Sequence, residues 1–445
     1  MEVQTFENII IGFGKAGRAL ARTLASRSQT VLLIEKDKEM YGGTCPNVGC
    51  APSKALASRA VKNVPFLEAM AQKRELVLKL RAGTTQPVAA EEKATILNGL
   101  ATFKSDELIE ITLPDGQKQQ AKAGRIFIDT GAAPVIPPIP GLKESPNLVT
   151  SKEIMELDSL PEELVVIGAG YIGLEFASMF ARFGSKVTVI DPKTEFIPME
   201  DHDIAQRVLA DMRTAGIQIL LGSQVVSLEE QGSQTKVLVR QNDEDMVLLA
   251  DKVLAATGRK PNIEGLGLEN TRIQLTENGA IKVDDSLKTT VENIWAMGDV
   301  KGGPQFYYLS TDDYRIVENH LFGDATRRIS DRNPVPYNVF LTPPLSRVGL
   351  NEKDAQAQRL AYQLLTLEAS AIVKAKVIGE TRGLLKALVD PDSKQILGAA
   401  LYCEESHELI NTISLLMKAQ VPYTSLTNHV FTHPTFSEAF NDLFK

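Results

Sequence analysis

The stretch Ile9-Ile10-Ile11-Gly12-Phe13-Gly14-Lys15-Ala16-Gly17 determines the fold class of this chain. Three β-branched apolar residues indicate a short buried strand, and three glycines follow with the spacing G-x-G-x-x-G. In such a turn the first glycine permits a tight bend, the second lets backbone approach a pyrophosphate, and the third lets helix pack on strand. The stretch therefore predicts a strand, a phosphate-binding turn and a helix from Arg18 to about Ser26.

The same pattern occurs a second time, where Val165-Val166-Ile167 precedes Gly168-Ala169-Gly170-Tyr171-Ile172-Gly173. Each copy continues through a helix into a second apolar strand that ends in an acid, Glu35 in the first and Asp191 in the second. In both copies the acid lies 23 residues after the first glycine, where it can accept hydrogen bonds from a ribose. One such loop could be an ordinary turn, but two in matching context predict two dinucleotide-binding units.

Asp191 also bears on the choice of nicotinamide cofactor. An acid at this position repels the 2′-phosphate of NADPH and so favours NADH. Lys186 and Lys193 lie near it in sequence and would weaken that preference, whereas the alternative for both lysines is solvated surface charge. We expect either NADH or NADPH to bind, with a bias towards NADH.

The segment Gly42-Gly43-Thr44-Cys45-Pro46-Asn47-Val48-Gly49-Cys50 contains two of the three cysteines of the chain. In a regular helix their offset corresponds to a rise of about 7.5 Å, so Pro46 and the glycines must distort the segment for a disulfide to close. A disulfide of this kind is labile, and labile disulfides are the catalytic ones. Two buried structural thiols are the alternative. Because packing alone requires no adjacent glycines, we interpret Cys45 and Cys50 as a redox-active pair, and Cys403, in an apolar strand, as a buried core thiol.

A further motif, His433-Pro434-Thr435-Phe436-Ser437-Glu438, lies near the C-terminus. An imidazole with a carboxylate five residues later suits a thiol enzyme, because thiolate is the reactive form and the acid can fix the imidazole tautomer. A histidine near a chain end is more often structural or solvated. The cysteine pair favours the chemical interpretation of His433.

Small-residue turns also follow strands elsewhere in the chain. Thr130-Gly131 follows Ile126-Phe127-Ile128, and Thr257-Gly258 follows Val253-Leu254-Ala255-Ala256. Backbone can approach a dinucleotide at such points, although each turn alone could be ordinary. Gly298-Asp299 follows a third strand, where the carboxylate is suited to grip a sugar or ribityl hydroxyl.

Composition restricts the classes of function. The chain has 445 residues with 43% hydrophobic content, enough for about two to four domains. A net charge of -8 without a Lys/Arg cluster argues against a nucleic-acid partner. A polar N-terminus and the lack of a long apolar stretch argue against a signal peptide and a membrane partner. Few cysteines fit a reducing compartment, so we expect a cytoplasmic protein.

Taken together and in this order, the motifs resemble the flavin-dependent pyridine nucleotide-disulfide oxidoreductases, which include lipoamide dehydrogenase, glutathione reductase and mercuric reductase. The resemblance covers the whole chain. It implies FAD on the first glycine loop, NADH or NADPH on the second, and a homodimer built by the C-terminal domain. It also implies that His433 of one subunit acts on the cysteines of the other.

The resemblance implies an α/β architecture with two Rossmann-like dinucleotide-binding domains and a C-terminal α+β dimerisation domain. We expect residues 1–150 to form the first part of the FAD-binding domain and residues 151–257 the NAD(P)H-binding domain. Residues 258–333 would complete the FAD-binding and central part, and residues 334–445 would form the dimerisation domain.

The resemblance also implies roles for individual residues. Cys50 would lie against the flavin as a thiolate, Cys45 would react with substrate, and His433, held by Glu438, would act as acid and base. Lys54 would lie near the flavin and pair with Glu175 beside the nicotinamide; surface charge on a helix is the alternative for both. The expected dinucleotide contacts are Gly12, Gly14, Gly17, Glu35, Gly43, Thr44, Lys54, Thr130, Gly131, Asp299, Gly168, Gly170, Tyr171, Gly173, Asp191 and Gly258.

The choice of substrate is less constrained. The chain ends Asn441-Asp442-Leu443-Phe444-Lys445, without the extra cysteine pair of mercuric reductases. The motifs resemble most the bacterial reactive-chlorine-resistance flavoproteins, which are similar to hypothiocyanous acid reductases and are linked also to copper(II) reduction. We therefore expect the substrate to be a small oxidant, hypothiocyanous acid or a related reactive chlorine or thiocyanate species. The alternatives are a copper(II) or mercury(II) reductase, a disulfide reductase of the lipoamide or glutathione type and, from another class, a non-enzymatic redox sensor. We expect no resident metal, although Cys45, Cys50 and His433 could bind a soft one.

Overall fold

Two buried apolar strands, Ile9–Ile11 and Val165–Ile167, lie in separate parallel sheets of the computed structural model, which describes residues 2–445. The first part of the chain contains β1 Val3–Ile11, α1 Lys15–Ser26, β2 Val31–Glu35, α2 Thr44–Val48, α3 Cys50–Val61, α4 Phe66–Ala89, β3 Ala94–Asn98, β4 Leu100–Phe103, β5 Leu108–Thr112, β6 Lys118–Ile128 and β7 Ala132–Pro134. Helix α1 begins directly after Gly14, three residues before the predicted start, because the phosphate turn is itself the helix N-terminus.

The second part contains β8 Leu148–Val149, β9 Glu163–Ile167, α5 Tyr171–Phe183, β10 Lys186–Asp191, α6 His202–Thr214, β11 Gln218–Leu221, β12 Ser223–Gln231, β13 Gln234–Gln241, β14 Glu244–Ala250, β15 Lys252–Ala255 and β16 Arg259–Pro261. The remainder contains β17 Ile294–Ala296, α7 Tyr307–Phe322, β18 Tyr337–Val339, β19 Leu345–Gly349, α8 Glu352–Ala357, β20 Gln363–Glu368, α9 Val373–Ile378, β21 Leu384–Val389, β22 Ile396–Tyr402, α10 Ser406–Lys418, α11 Thr424–Thr427 and α12 Ala439–Leu443.

The first sheet has the order β3-β2-β1-β6-β5-β4, and β17 pairs with the end of β6. Strands β1, β2, β3, β6 and β17 pair in parallel, whereas β4, β5 and β6 form an antiparallel meander. Ile9 and Ile11 belong to one apolar cluster and Ile10 to another on the opposite face. Burial on both faces explains why the strand is a continuous apolar run and does not alternate with polar residues.

The second sheet repeats this arrangement with the parallel order β11-β10-β9-β15-β8. In each sheet, the strand that precedes the glycine loop lies between two parallel neighbours. This strand is β1 in the first sheet and β9 in the second, and the strand order reverses there. Ligands bind at such a switch point, at the carboxyl ends of the strands. The two Rossmann-like units predicted from the glycine repeat are thereby confirmed.

The C-terminal part is an antiparallel sheet in the order β18-β19-β22-β21-β20, with α10 and α12 packed in its apolar core. This confirms the predicted α+β C-terminal domain. Cys403 follows β22 and is fully buried in that core, as expected of a structural thiol. Within residues 2–445, each helix is too short or too polar to span a bilayer.

A buried lysine joins the C-terminal sheet to the second parallel sheet. Lys386 of β21 is fully buried, and its ammonium lies 2.9 Å from Asp203 Oδ1 and 3.1 Å from Asp201 Oδ2, next to α6. The same ammonium contacts Glu352 of α8. One cation therefore neutralises part of a cluster of three carboxylates that come from distant parts of the chain.

We expect Lys386→Met to lower the thermal midpoint of the protein clearly, because removing one partner of a buried ion pair leaves uncompensated charge and costs about 3–5 kcal/mol. Lys353→Met is the matched control, since Lys353 pairs with Glu195 at the surface and exposed pairs contribute about 0–1 kcal/mol. Differential scanning calorimetry measures both. Equal midpoints for the two variants would contradict this account of Lys386.

Candidate active site

The first glycine loop approaches the end of β6 so closely that it excludes side chains. Gly12 has φ +103°, and a Cβ on it would lie 2.3 Å from the carbonyl oxygen of Asp129. The backbone N–H of Phe13 donates to Glu35 Oε2 at 2.9 Å, so the acid that ends β2 holds the loop from the other side. Burial raises the pKa of Glu35, against the hydrogen bonds that it accepts from backbone N–H groups.

The second glycine loop has the same geometry. Gly168 has φ +107°, and a Cβ on it would lie 2.6 Å from the carbonyl oxygen of Ala256. A Cβ on Gly173 would lie 2.2 Å from the carbonyl oxygen of Gly168. The N–H of Ala169 donates to Asp191 Oδ2 at 2.7 Å, the counterpart of the contact between Phe13 and Glu35. The repeat noticed in the sequence is therefore a repeat of hydrogen bonding as well.

The two lysines considered beside Asp191 lie in different places. Lys193 follows Asp191 in the loop, and its N–H donates to Asp191 Oδ1 at 2.9 Å. Lys186 begins β10 whereas Asp191 ends it, a separation of about 17 Å along an extended strand. Its ammonium lies 2.9 Å from Glu163 Oε1. The suggestion that Lys186 influences the choice between NADH and NADPH is wrong, because sequence proximity in a strand is not spatial proximity.

The two cysteines lie in separate helices. Cys45 is in α2 and Cys50 begins α3, with the interruption at Gly49, where a Cβ would lie 2.9 Å from the carbonyl oxygen of Thr44. This break is the distortion that the spacing predicts. Both residues are free thiols in this structure.

The two thiols share one proton unequally. A hydrogen bond from Cys45 lowers the pKa of Cys50 to about 6, helped by the positive charge of Lys54 and opposed by burial. The same hydrogen bond and burial raise the pKa of Cys45. In the reduced pair at neutral pH, Cys50 is the thiolate and Cys45 keeps its proton.

Lys54 and Glu175 pair with each other as predicted. Lys54 Nζ lies 2.6 Å from Glu175 Oε2, and the N–H of Phe340 donates to Glu175 Oε1 at 2.8 Å. The ammonium also lies 4.8 Å from the centre of the Phe340 ring. This pair connects α3, which carries Cys50, to α5, which follows the second glycine loop.

One cavity of about 730 Å³ lies between the first sheet, the two cysteine helices and α5. Predicted site residues that line it are Gly12, Gly14, Glu35, Gly43, Thr44, Cys45, Cys50, Lys54, Thr130, Gly131, Tyr171, Glu175 and Asp299. Predicted residues outside its lining are Gly17, Gly168, Gly170, Gly173, Asp191, Gly258, His433 and Glu438. The structure thus brings the first loop, the thiols and the Lys54–Glu175 pair to a single space.

The cavity has the features that an FAD molecule requires. The Gly12–Gly17 loop presents the N-terminus of α1, which attracts a pyrophosphate. Thr130 Oγ1 is buried there without a hydrogen-bond partner among residues 2–445. Burial raises the pKa of Asp299, whereas the positive charges of Arg259 and Lys301 lower this pKa. A ligand with phosphate and hydroxyl groups would satisfy these donors and acceptors, so the residues fit FAD.

The contacts that hold Tyr171 at the second loop could not be predicted from any motif. The Tyr171 hydroxyl donates to Oε1 of Glu200, which is fully buried, and the Tyr337 hydroxyl donates to the same oxygen. The two rings stack with centres 5.7 Å apart. Glu200 and Tyr337 are far from Tyr171 in sequence and belong to no motif, so no local pattern could have identified them.

His433 and Glu438 form the predicted pair, but away from the cysteines of the same chain. His433 Nδ1 donates to Glu438 Oε2 at 2.8 Å, and the histidine side chain is 66% exposed. Neither residue lines the cavity that contains Cys45 and Cys50. Within the described part of one chain, the imidazole therefore faces solvent.

Comparison with known proteins agrees with this geometry. Residues 6–313 match the family described as pyridine nucleotide-disulphide oxidoreductase, and residues 335–444 match the dimerisation domain of that family. The chain is 44% identical over 439 residues to the probable pyridine nucleotide-disulfide oxidoreductase RclA of Escherichia coli strain K12. The aligned region covers 99% of this chain and 98% of that protein.

More distant relatives and solved structures extend the match over the whole chain. The mercuric reductase of Streptomyces lividans is 31% identical over 452 residues, covering 98% of this chain and 94% of the relative. The Cu(II) complex of the HOCl-induced flavoprotein disulfide reductase RclA from Escherichia coli superposes with a TM-score of 0.96 at 43% identity, covering 100% of this chain and 99% of that one. The cavity joins the first nucleotide loop to a thiol pair, and a second nucleotide loop lies in the other parallel sheet. The chain belongs to the pyridine nucleotide-disulphide oxidoreductases, enzymes that use FAD and NAD(P)H.

Proposed function

We propose that this enzyme passes electrons from NAD(P)H through FAD and the Cys45–Cys50 pair to a small oxidant, hypothiocyanous acid or a related reactive chlorine or thiocyanate species. The observation that carries the proposal is that both thiols line the cofactor cavity beside the Lys54–Glu175 ion pair. The related RclA of Escherichia coli is described as HOCl-induced, which supports a role in oxidative-stress defence.

The residues on the cavity have distinct tasks in this proposal. Bound FAD supplies a carrier that takes hydride from NAD(P)H and gives electron pairs to a disulfide. Lys54 stabilises the Cys50 thiolate electrostatically, and Glu175 fixes the position of Lys54. Tyr171, anchored through Glu200, covers the nicotinamide side. The glycine loops and their acids Glu35 and Asp191 hold the two dinucleotides, with NADH favoured by Asp191.

Cys45 reacts with the oxidant once it has lost its proton. The Cys45 thiolate attacks the electrophilic sulfur of hypothiocyanous acid and releases hydroxide, leaving a sulfenyl thiocyanate on Cys45. The Cys50 thiolate then attacks Cys45, so that thiocyanate leaves and the disulfide forms. Each turn thus converts one thiol, one thiolate and one hypothiocyanous acid into a disulfide, thiocyanate and water, and NAD(P)H restores the reduced pair.

Removal of the Cys45 proton requires a base, because the hydrogen bond to Cys50 raises the pKa of Cys45. The exposed pair of His433 and Glu438 is a suitable base, but it lies outside the cavity of its own chain. We infer that the dimerisation domain brings His433 of a partner subunit to Cys45. The exposed side chain of Val430, only three residues before His433, is consistent with a surface that a second copy covers.

Copper(II) is the second candidate substrate, since a closely similar solved structure is a Cu(II) complex. Two thiols and one imidazole are ligands that suit this metal. Mercury(II) is less favoured because the third cysteine, Cys403, is buried and no further thiol is available. Lipoamide and glutathione disulfide need a binding surface for a larger substrate, and a redox sensor would show no turnover.

The first test concerns the Cys50 thiolate in the reduced holoenzyme. A thiolate in contact with the flavin produces a long-wavelength absorbance band, and we expect this band to be present above about pH 6 and to disappear as pH falls through that value. Cys50→Ser should lack the band, whereas Cys45→Ser should keep it. Absorbance spectra at a series of pH values measure this, and a band that survives Cys50→Ser would contradict the assignment.

The second test identifies the substrate. We expect rapid NADH or NADPH oxidation with hypothiocyanous acid and no activity in Cys45→Ser. His433→Ala should slow the reaction by about 10²-fold or more, the usual scale of acid–base catalysis. Stopped-flow rates with hypothiocyanous acid, copper(II), mercury(II), lipoamide and glutathione disulfide provide the comparison, and Cys403→Ser is the matched thiol control. Efficient disulfide turnover with negligible hypothiocyanous acid reduction would overturn the proposal.

The third test concerns the partner subunit. Purified heterodimers that combine one Cys45→Ser chain with one His433→Ala chain contain a single intact pair of Cys45 and His433 only if the pair forms across the interface. We expect such heterodimers to recover about half of the wild-type rate, because a two-fold dimer has two equivalent sites. Heterodimers as inactive as the two parent variants would place the base within one chain.

A further inference from the structure

A second buried acid, Asp129, lies at the first glycine loop, and no role was predicted for it. Asp129 follows β6 directly and is 6% exposed. Its Oδ2 accepts a hydrogen bond from the N–H of Gly17 in the first turn of α1 at 2.7 Å. A Cβ on Gly14 would lie 2.6 Å from Oδ2, and a Cβ on Gly298 would lie 2.6 Å from Oδ1. The carboxyl therefore fills a slot that these two glycines leave open.

No cation compensates Asp129 among residues 2–445. The charged groups that influence it from the neighbouring elements are all acids, namely Glu35 of β2, Asp299 after β17 and Asp313 of α7. The cations of this region interact with other groups. Lys301 lies 3.4 Å from Asp313, and Arg332 also contacts Asp313. Arg259 interacts with Asp299, and Lys15 lies over the Tyr307 ring. Burial and the neighbouring acids raise the pKa of Asp129 well above its usual range, against the hydrogen bond from Gly17.

A neutral carboxyl group has one accepting oxygen and one O–H donor. Because Oδ2 accepts from Gly17, the donor is Oδ1, and Oδ1 has no hydrogen-bond partner in the described chain. Asp129 lines the cavity, next to Gly12 and Gly14 at the N-terminus of α1, where a pyrophosphate binds. A donor in this position is directed to a ligand and not to the protein.

We propose that Asp129 is an FAD-binding residue, which stays protonated and donates a hydrogen bond from Oδ1 to a pyrophosphate oxygen of the cofactor. The inference rests on FAD binding at the first loop and not on the identity of the oxidant, so its failure would leave the proposed function intact. An ionised Asp129 would instead repel the pyrophosphate. The proton on Asp129 and the cofactor therefore stabilise each other.

This linkage has a defined sign. FAD binds best while Asp129 is neutral, so affinity stays constant below the pKa of Asp129 in the cofactor-free protein and falls above it. The decrease is at most about tenfold per pH unit for a single proton. By reciprocity, bound FAD raises the pKa of Asp129 further.

The experiment measures FAD released from diluted holoenzyme by its fluorescence, from neutral to alkaline pH. We expect wild-type release to increase with pH. Asp129→Asn should keep FAD but remove the pH dependence, because an amide donates a hydrogen bond and cannot ionise. At pH values at which Asp129 is protonated in the wild type, Asp129→Ala should weaken binding about 10- to 100-fold, since a hydrogen bond to a charged group and a partner for Gly17 are both lost. Asp245→Asn is the matched control, because Asp245 is an exposed acid that pairs with Arg240 outside the cavity. This variant should keep the wild-type FAD affinity and pH dependence.

The inference is overturned if Asp129→Asn keeps the wild-type pH dependence, or if Asp129→Ala retains FAD as tightly as wild type. Infrared spectroscopy of the holoenzyme provides a second measurement that needs no cofactor release. We expect a band from a protonated, buried carboxyl in the wild type that is missing from Asp129→Asn. A wild-type spectrum without such a band would overturn the inference as well, even if the variants fold poorly.

Discussion

The close approach of a glycine to the end of a neighbouring strand is the constraint on which both nucleotide sites depend. At Gly12 and Gly168 a side chain would collide with a carbonyl oxygen of the adjacent parallel strand. Removing the side chain lets the strand, the turn and the following helix lie in one tight unit, with the helix N-terminus at the edge of the sheet. The acids Glu35 and Asp191 then hold the two turns by the same type of backbone hydrogen bond. Two copies of one local solution thus place two dinucleotides on one chain.

Electrostatics connects these loops to the thiols. Lys54 lies between the Cys50 thiol and Glu175, and Glu175 also accepts from the backbone beside β18. A single ion pair therefore joins the cysteine helix, the helix of the second loop and the start of the C-terminal domain. The fully buried Lys386 makes a similar connection between β21, α8 and the start of α6. Fixed charges of this kind keep the relative positions of the groups that must exchange electrons.

Features defined by local spacing could be predicted from the sequence. The glycine loops, their acids, the paired cysteines and the pairing of His433 with Glu438 each depend on a few neighbouring residues, and periodicity identified the strands that carry them. Lys54 and Glu175 came from the family resemblance. The anchoring of Tyr171 by Glu200 and the position of Lys186 depend on residues that only folding brings together. The protonation of Asp129 depends on burial and on three acids from different elements, so it cannot be predicted from any single stretch of sequence.

The interruption at Gly49 has an electrostatic consequence. Because the helix stops at Val48 and begins again, Cys50 is the first residue of α3 and its sulfur lies at a helix N-terminus. The aligned peptide dipoles of α3 place partial positive charge there, and a thiolate at such an end is stabilised. This field comes from the backbone, so it neither titrates nor requires a further basic side chain. The glycine that separates the two cysteines therefore adds a backbone contribution to the stabilisation of the Cys50 thiolate.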